Sequence, residues 1–89
     1  MTNTETYLNH PTFGLLFRVC LVGHDRELFT TLYAQRLFFI VANTPNGLAF
    51  EPISRGDARL MVENRLRNLR RMGQDEEFEK LQVIHQQAF

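Results

Sequence analysis

Residue types change abruptly near Pro52–Ser54, and that break constrains the fold more than any short motif does. Before it lie six of the eight phenylalanines, both tyrosines, all three prolines and many β-branched residues; after it Arg, Glu, Gln, Leu and Met predominate. Aromatic and β-branched side chains suit pleated strands, whereas straight-chain ones lose little freedom in a helix. The expectation is an α+β chain, with a β domain over residues 1–53 and a helical pair over 54–89. At 89 residues a chain buries only roughly 60–65% of its unfolded surface, so the core is thin.

Turn signals divide the first half. Pro11 fixes its own φ and biases His10 away from helix, so Asn9-His10-Pro11-Thr12 reads as a turn. Gly14 to Val22 reads as a strand with Leu15, Phe17, Val19 and Leu21 on one face and Leu16, Arg18, Cys20 and Val22 on the other. Gly23-His24-Asp25 turns the chain. Glu27 to Gln35 reads as a strand followed by a tight bend, although Leu28, Leu32 and Gln35 also fit a helical face. Arg36 to Ala42 is the strongest strand, ending at Thr44-Pro45-Asn46-Gly47, where Asn46-Gly47 is a hairpin signal. Leu48 to Ile53 returns. In the second half Ser54 and Asp57 compete as N-cap, and Ala58, Met61, Val62, Leu66 and Leu69 recur at helical spacing. Gly73 suits a C-terminal cap. The acids Asp75-Glu76-Glu77 open a second helix at its positive end, with Phe78, Leu81, His85 and Ala88 on one face.

Ten basic and ten acidic residues cancel, so no overall field draws the chain to nucleic acid or an anionic membrane. A single cysteine, Cys20, excludes an internal disulfide and a multi-cysteine zinc site. The longest apolar run, Leu37 to Ala42, is far too short for a membrane span. Met1 to Asn9 has neither the basic start nor the apolar core of a secretory signal. The expectation is a cytoplasmic protein. His10, His24 and His85 show no ligand spacing, no Gly-rich phosphate loop is present, and Cys20 sits within an apolar strand. The chain reads as a non-enzyme without metal or cofactor.

Binding has two candidate locations. The strand Arg36 to Ala42 is apolar on both faces: Leu37, Phe39 and Val41 on one, Phe38, Ile40 and Ala42 on the other. Either both faces are buried, or one is left for a partner. Charge is also segregated. Arg55 to Arg71 holds six arginines against Asp57 and Glu63, and Gln74 to Phe89 holds four acids against Lys80. The two helices either neutralise each other, or the arginine helix meets an acidic protein surface.

The runs Tyr7-Leu8-Asn9-His10-Pro11-Thr12-Phe13-Gly14-Leu15-Leu16 and Leu32-Tyr33-Ala34-Gln35-Arg36-Leu37-Phe38-Phe39 are specific. With Phe50-Glu51-Pro52-Ile53 and Asn64-Arg65-Leu66-Arg67-Asn68-Leu69-Arg70-Arg71, they resemble the cyanobacterial PII-interacting protein X (PipX) family over nearly the whole chain. The resemblance implies a five-stranded Tudor-like β domain followed by two C-terminal α-helices. It implies an adaptor, monomeric when free, with two competing partners: the trimeric nitrogen signalling protein PII and the dimeric transcription activator NtcA. PII carrying ADP holds the adaptor when 2-oxoglutarate is low. When 2-oxoglutarate is high, PII with ATP releases it to coactivate NtcA; these small molecules act on the partners. Other transcription regulators are further partners to consider. The contacts implied are Glu5, Thr12, Phe13, Leu15, Tyr33, Gln35, Arg36, Leu37 and Phe39, with Arg55 and Arg70 as secondary ones. If Leu37 and Phe39 face a partner, Phe38, Ile40 and Ala42 are core. Two rival classes are a nucleic-acid-binding small β-barrel, which needs basic residues interleaved with stacking aromatics, and a methyl-lysine reader, which needs an aromatic cage. The chain has no Trp and only two Tyr, and its basic residues concentrate away from its aromatics.

Overall fold

The structure is a computed structural model, and it describes residues 7–23, 25–31 and 37–89. Five antiparallel strands run in sequence order as a curled sheet: β1 (Tyr7–His10), β2 (Gly14–Val22), β3 (Arg26–Thr31), β4 (Phe38–Thr44) and β5 (Gly47–Ile53). Two helices follow, α1 (Arg55–Arg71) and α2 (Asp75–Ala88). The α+β expectation holds. Among the described residues no helix is long and apolar enough to cross a membrane.

Local chemistry sets the element ends. The Ser54 hydroxyl accepts a hydrogen bond from the Asp57 amide at 3.0 Å, so Ser54 and not Asp57 caps α1. Gly73, at φ 74°, closes α1: its amide donates to the Arg70 carbonyl, and the Gln74 amide donates to Leu69. That is the paired geometry of a Schellman end, which requires the left-handed conformation glycine adopts without strain. At the β4–β5 corner, Thr44 pairs with Gly47. The Thr44 hydroxyl accepts from the Asn46 amide at 3.2 Å and donates to the Gly47 carbonyl at 2.7 Å. The corner is therefore Pro45-Asn46, one residue earlier than Asn46-Gly47, and β4 continues past Ala42 to Thr44, while the expected start at Arg36 lies outside the described residues.

Two further expectations are corrected. Asn9 and His10 are strand residues, paired with Leu15 and Gly14; the turn holds only Pro11, Thr12 and Phe13. The face assignment of β2 also fails halfway along. Arg18 lies opposite Phe29 and Cys20 opposite Leu28, so Val19 is an extra residue in a β-bulge. A bulge reverses the alternation beyond it. Leu16 and Cys20, expected on one face, enter different clusters, while the neighbours Val19 and Cys20 enter the same one.

Both faces of the sheet are consequently apolar, and each has its own core. On one side Val19, Cys20, Leu28, Phe38 and Ile40 meet Ala58, Val62, Leu69, Leu81 and Ala88 from the helices. On the other side Leu16, Phe29, Phe39 and Val41 pack with Leu8 and Phe50 inside the curl. Leu28 and Phe29, adjacent on β3, are 0% and 1% exposed. Each buried side chain of this kind stabilises the fold by about 1.5–3 kcal/mol, so one strand contributes to both cores.

Candidate partner-binding site

The register gathers several connections at one end of the sheet. Leu16 lies opposite Thr31, Thr30 opposite Phe38, and Phe38 opposite Ile53. The Pro11–Phe13 turn, the two ends of the β3–β4 connection and the step into α1 therefore share that end. The β3–β4 connection carries Tyr33, Gln35 and Arg36 in the sequence. These three, and Glu5, lie outside the described residues.

The turn is held from within. His10 Nδ1 accepts from the amides of Thr12 at 3.0 Å and Phe13 at 3.2 Å, which requires that nitrogen to be unprotonated. The imidazole packs 4.9 Å from Phe50, edge-on, and 5.0 Å from Phe13. It also lies 6.1 Å from Phe39 and nearly parallel to it. Phe13 caps this layer, 5.1 Å from Phe39, yet stays 40% exposed. Gly14 follows at φ 77°, a conformation side-chain-bearing residues rarely adopt.

The neck of the β3–β4 connection is clamped by two buried threonines. The Leu37 amide donates to the Thr31 hydroxyl at 2.9 Å, and the Leu37 carbonyl accepts from the Thr30 hydroxyl at 2.9 Å and the Thr31 amide at 3.0 Å. With its backbone fixed, Leu37 stays 42% exposed. Its exposure is thus enforced by hydrogen bonds at its root.

Of the other expected contacts, Thr12 is exposed and Leu15 half-buried at the same end. Phe39 is 3% exposed, beneath Phe13. Phe38 and Ile40 are buried against the helices, while Ala42 is only half-buried. Of the two readings of this strand, the structure shows burial on both faces. Arg55, in the first turn of α1, lies over the Phe89 ring at 5.9 Å. Arg70 is brought to the other end of the same helix, about 22 Å away at 1.5 Å per residue, over the Phe78 ring at 5.0 Å.

Sequence reasoning missed His10 and Phe50 as supports of this end. A histidine immediately before Pro11 was the available signal, since a short polar side chain at a turn can take backbone amides. It also left the charge segregation undecided. Among the described residues the polar side-chain contact joining the helices is the hydrogen bond between His85 Nε2 and Glu63 at 3.2 Å, with Arg59 on the same carboxylate at 3.0 Å. The acids at the start of α2 make no ion pair with the arginines of α1, and Arg70 packs on a ring instead.

Among the described residues no group of His, Cys, Asp and Glu is arranged to hold a metal ion. Burial pushes the Cys20 thiol up to about 11, against the opposing pull of Arg65 and Arg18, so it is protonated at neutral pH. What the sheet end offers is contact area: two exposed apolar side chains on rigid supports, the chemistry of a protein-interaction module. The sequence profile of PipX, PII-interacting protein X, matches residues 4–89, and the chain belongs to that family of PII-interacting proteins. No individual curated protein matches it.

Proposed function

We propose that the chain is a non-enzymatic adaptor whose β-sheet end binds either PII or the activator NtcA, never both at once. In this reading 2-oxoglutarate, ATP and ADP act on the partners and set which of them holds the adaptor. Membership of the PII-interacting family supports the first partner. The observation that carries the shared surface is Phe13 and Leu37 held open at one end of the sheet, flanking the connection that carries Tyr33, Gln35 and Arg36. Thr12 and Leu15 extend the same surface, with Phe39 as the buried support beneath it. Glu5 belongs to the proposed contacts through the chain's resemblance to the family, and Arg55 and Arg70 supply secondary ones.

A single surface for two partners makes a mass-action switch, because the free adaptor is set by the tighter complex in its current ligand state. The test is competition. The adaptor is loaded on PII with ADP, then NtcA with 2-oxoglutarate is titrated in while complex sizes are followed by light scattering. Displacement is expected; a ternary complex refutes exclusivity. Tyr33→Ala is expected to weaken both complexes by about 2 kcal/mol or more, roughly 30-fold, as loss of an aromatic anchor does. Unchanged binding to both partners refutes the shared anchor.

A further inference from the structure

The β-bulge that moves Val19 and Cys20 onto one face also shapes a cavity of about 190 Å³ between β2 and both helices. Val19, Leu69 and Leu81 give it an apolar floor, and the protonated Cys20 thiol adds no charge there. Its walls bring together one cation from each element: Arg18 from β2, Arg65 from α1 and Lys80 from α2.

These cations differ in how well they are already satisfied. Arg18 is held by Glu27 at 2.8 Å. Lys80 stands 4.0 Å from Glu76 with both side chains largely exposed, a contact that constrains it little. Arg65 has no ion pair among the described residues, and its field reaches the cavity floor, where it is felt at Cys20. Glu77 is the one carboxylate in the wall. It works against a second negative charge on any occupant.

We propose that this cavity is a binding site for a small organic monoanion, a carboxylate carrying a short apolar or aryl body. The carboxylate pairs with Arg65 and Lys80, and the body lies on Val19, Leu69 and Leu81. A cavity of about 150 Å³ accepts benzene, so this half-open one of about 190 Å³ accommodates a benzoate-sized body. Because its walls come from three elements, an occupant ties α1 and α2 to the sheet and stabilises their packed arrangement.

The test titrates the ¹⁵N-labelled protein with sodium benzoate at constant ionic strength, observing backbone amides by NMR. Saturable shifts are expected at Val19, Cys20, Leu21, Arg65 and Leu81, with a dissociation constant of about 1–10 mM for so small a ligand. Benzylammonium and succinate are expected to leave those amides in place, the first by its charge and the second by its extra carboxylate. Arg65→Gln is expected to weaken benzoate binding at least fivefold while keeping the dispersed spectrum of a folded protein. Absence of saturation, shifts centred elsewhere, or an equal response to benzylammonium overturns the proposal in the wild-type protein alone. Undiminished binding in folded Arg65→Gln overturns the role of Arg65 and with it the site.

Discussion

The two faces of the sheet are equally greasy and are covered in different ways. The face bearing Phe38 and Ile40 is covered by side chains from the second half of the chain, Ala58, Val62, Leu69, Leu81 and Ala88. The face bearing Phe39 and Val41 is covered by the sheet's own curl and by the rings of His10, at the end of β1, and Phe13, in the first turn. Neither face is left open. Two of the exposed apolar groups, Phe13 and Leu37, stand together at one end of the sheet. The proposed binding rim thus stands above the inner core, while the other core joins the sheet to the helices.

The strongest way to break that comparison is Phe39→Ala. Removing a ring that is 3% exposed should cost about 3–5 kcal/mol, a large part of a small domain's stability. Urea unfolding followed by circular dichroism measures it. A variant that keeps full stability yet loses PII would make Phe39 a direct contact, and the division between rim and support would fail. Leu81→Ala strikes the opposite core and should cost about 2–4 kcal/mol, with PII affinity per folded molecule unchanged in isothermal titration. Loss of affinity there would mean that the helix-side core shapes the main contact surface and not only the fold.

Phe13→Ala sharpens the comparison from the other direction. Phe13 is already 40% exposed, so its truncation should cost only about 1 kcal/mol of stability. As a rim anchor, however, its loss should lower PII affinity by about tenfold or more. Phe39 and Phe13 are ring neighbours at 5.1 Å, and the expectation is that their effects on stability and affinity are inverted.

How much of this was legible beforehand depends on how local the determining physics is. The bounds of β2 and the stripe of α1 follow from turn residues and periodicity within a few positions, and both are present, while Ser54 proves to be the cap of the two residues that competed for it. The bulge was not legible, because Val19 and Cys20 are both apolar and either face would accept either residue. Nor could parity decide whether Phe39 is a contact or a support, since strands with two apolar faces look the same whichever cover they receive. The start of the first turn was misplaced because His10, read as a turn residue, serves the turn with its imidazole while its backbone stays in the ladder. The fixed position of Leu37 rests on threonine hydroxyls six and seven residues away, a long-range arrangement that composition does not encode.

The smallest effect isolates how the helix-side cover is fastened. Glu63 accepts from Arg59 on its own helix and meets His85 from α2, and these hydrogen bonds, Arg59 first, hold its carboxyl below the usual carboxylate range. A carboxyl whose pKa is lower in the folded state binds fewer protons there than in the unfolded chain, so stability rises with pH across the interval between the two values. The contribution is complete above the ordinary carboxylate pKa and is lost as pH falls through the lowered one. Other acids titrate in the same range, so the informative quantity is the difference between the wild type and Glu63→Gln. Unfolding midpoints measured from neutral pH into the acid range should differ by a constant amount at first, then converge as Glu63 is protonated. Midpoints that stay parallel to the most acid pH would show that the Arg59–Glu63–His85 contact does not fasten α2 to α1, leaving Leu81 and Ala88 to hold that cover by burial alone.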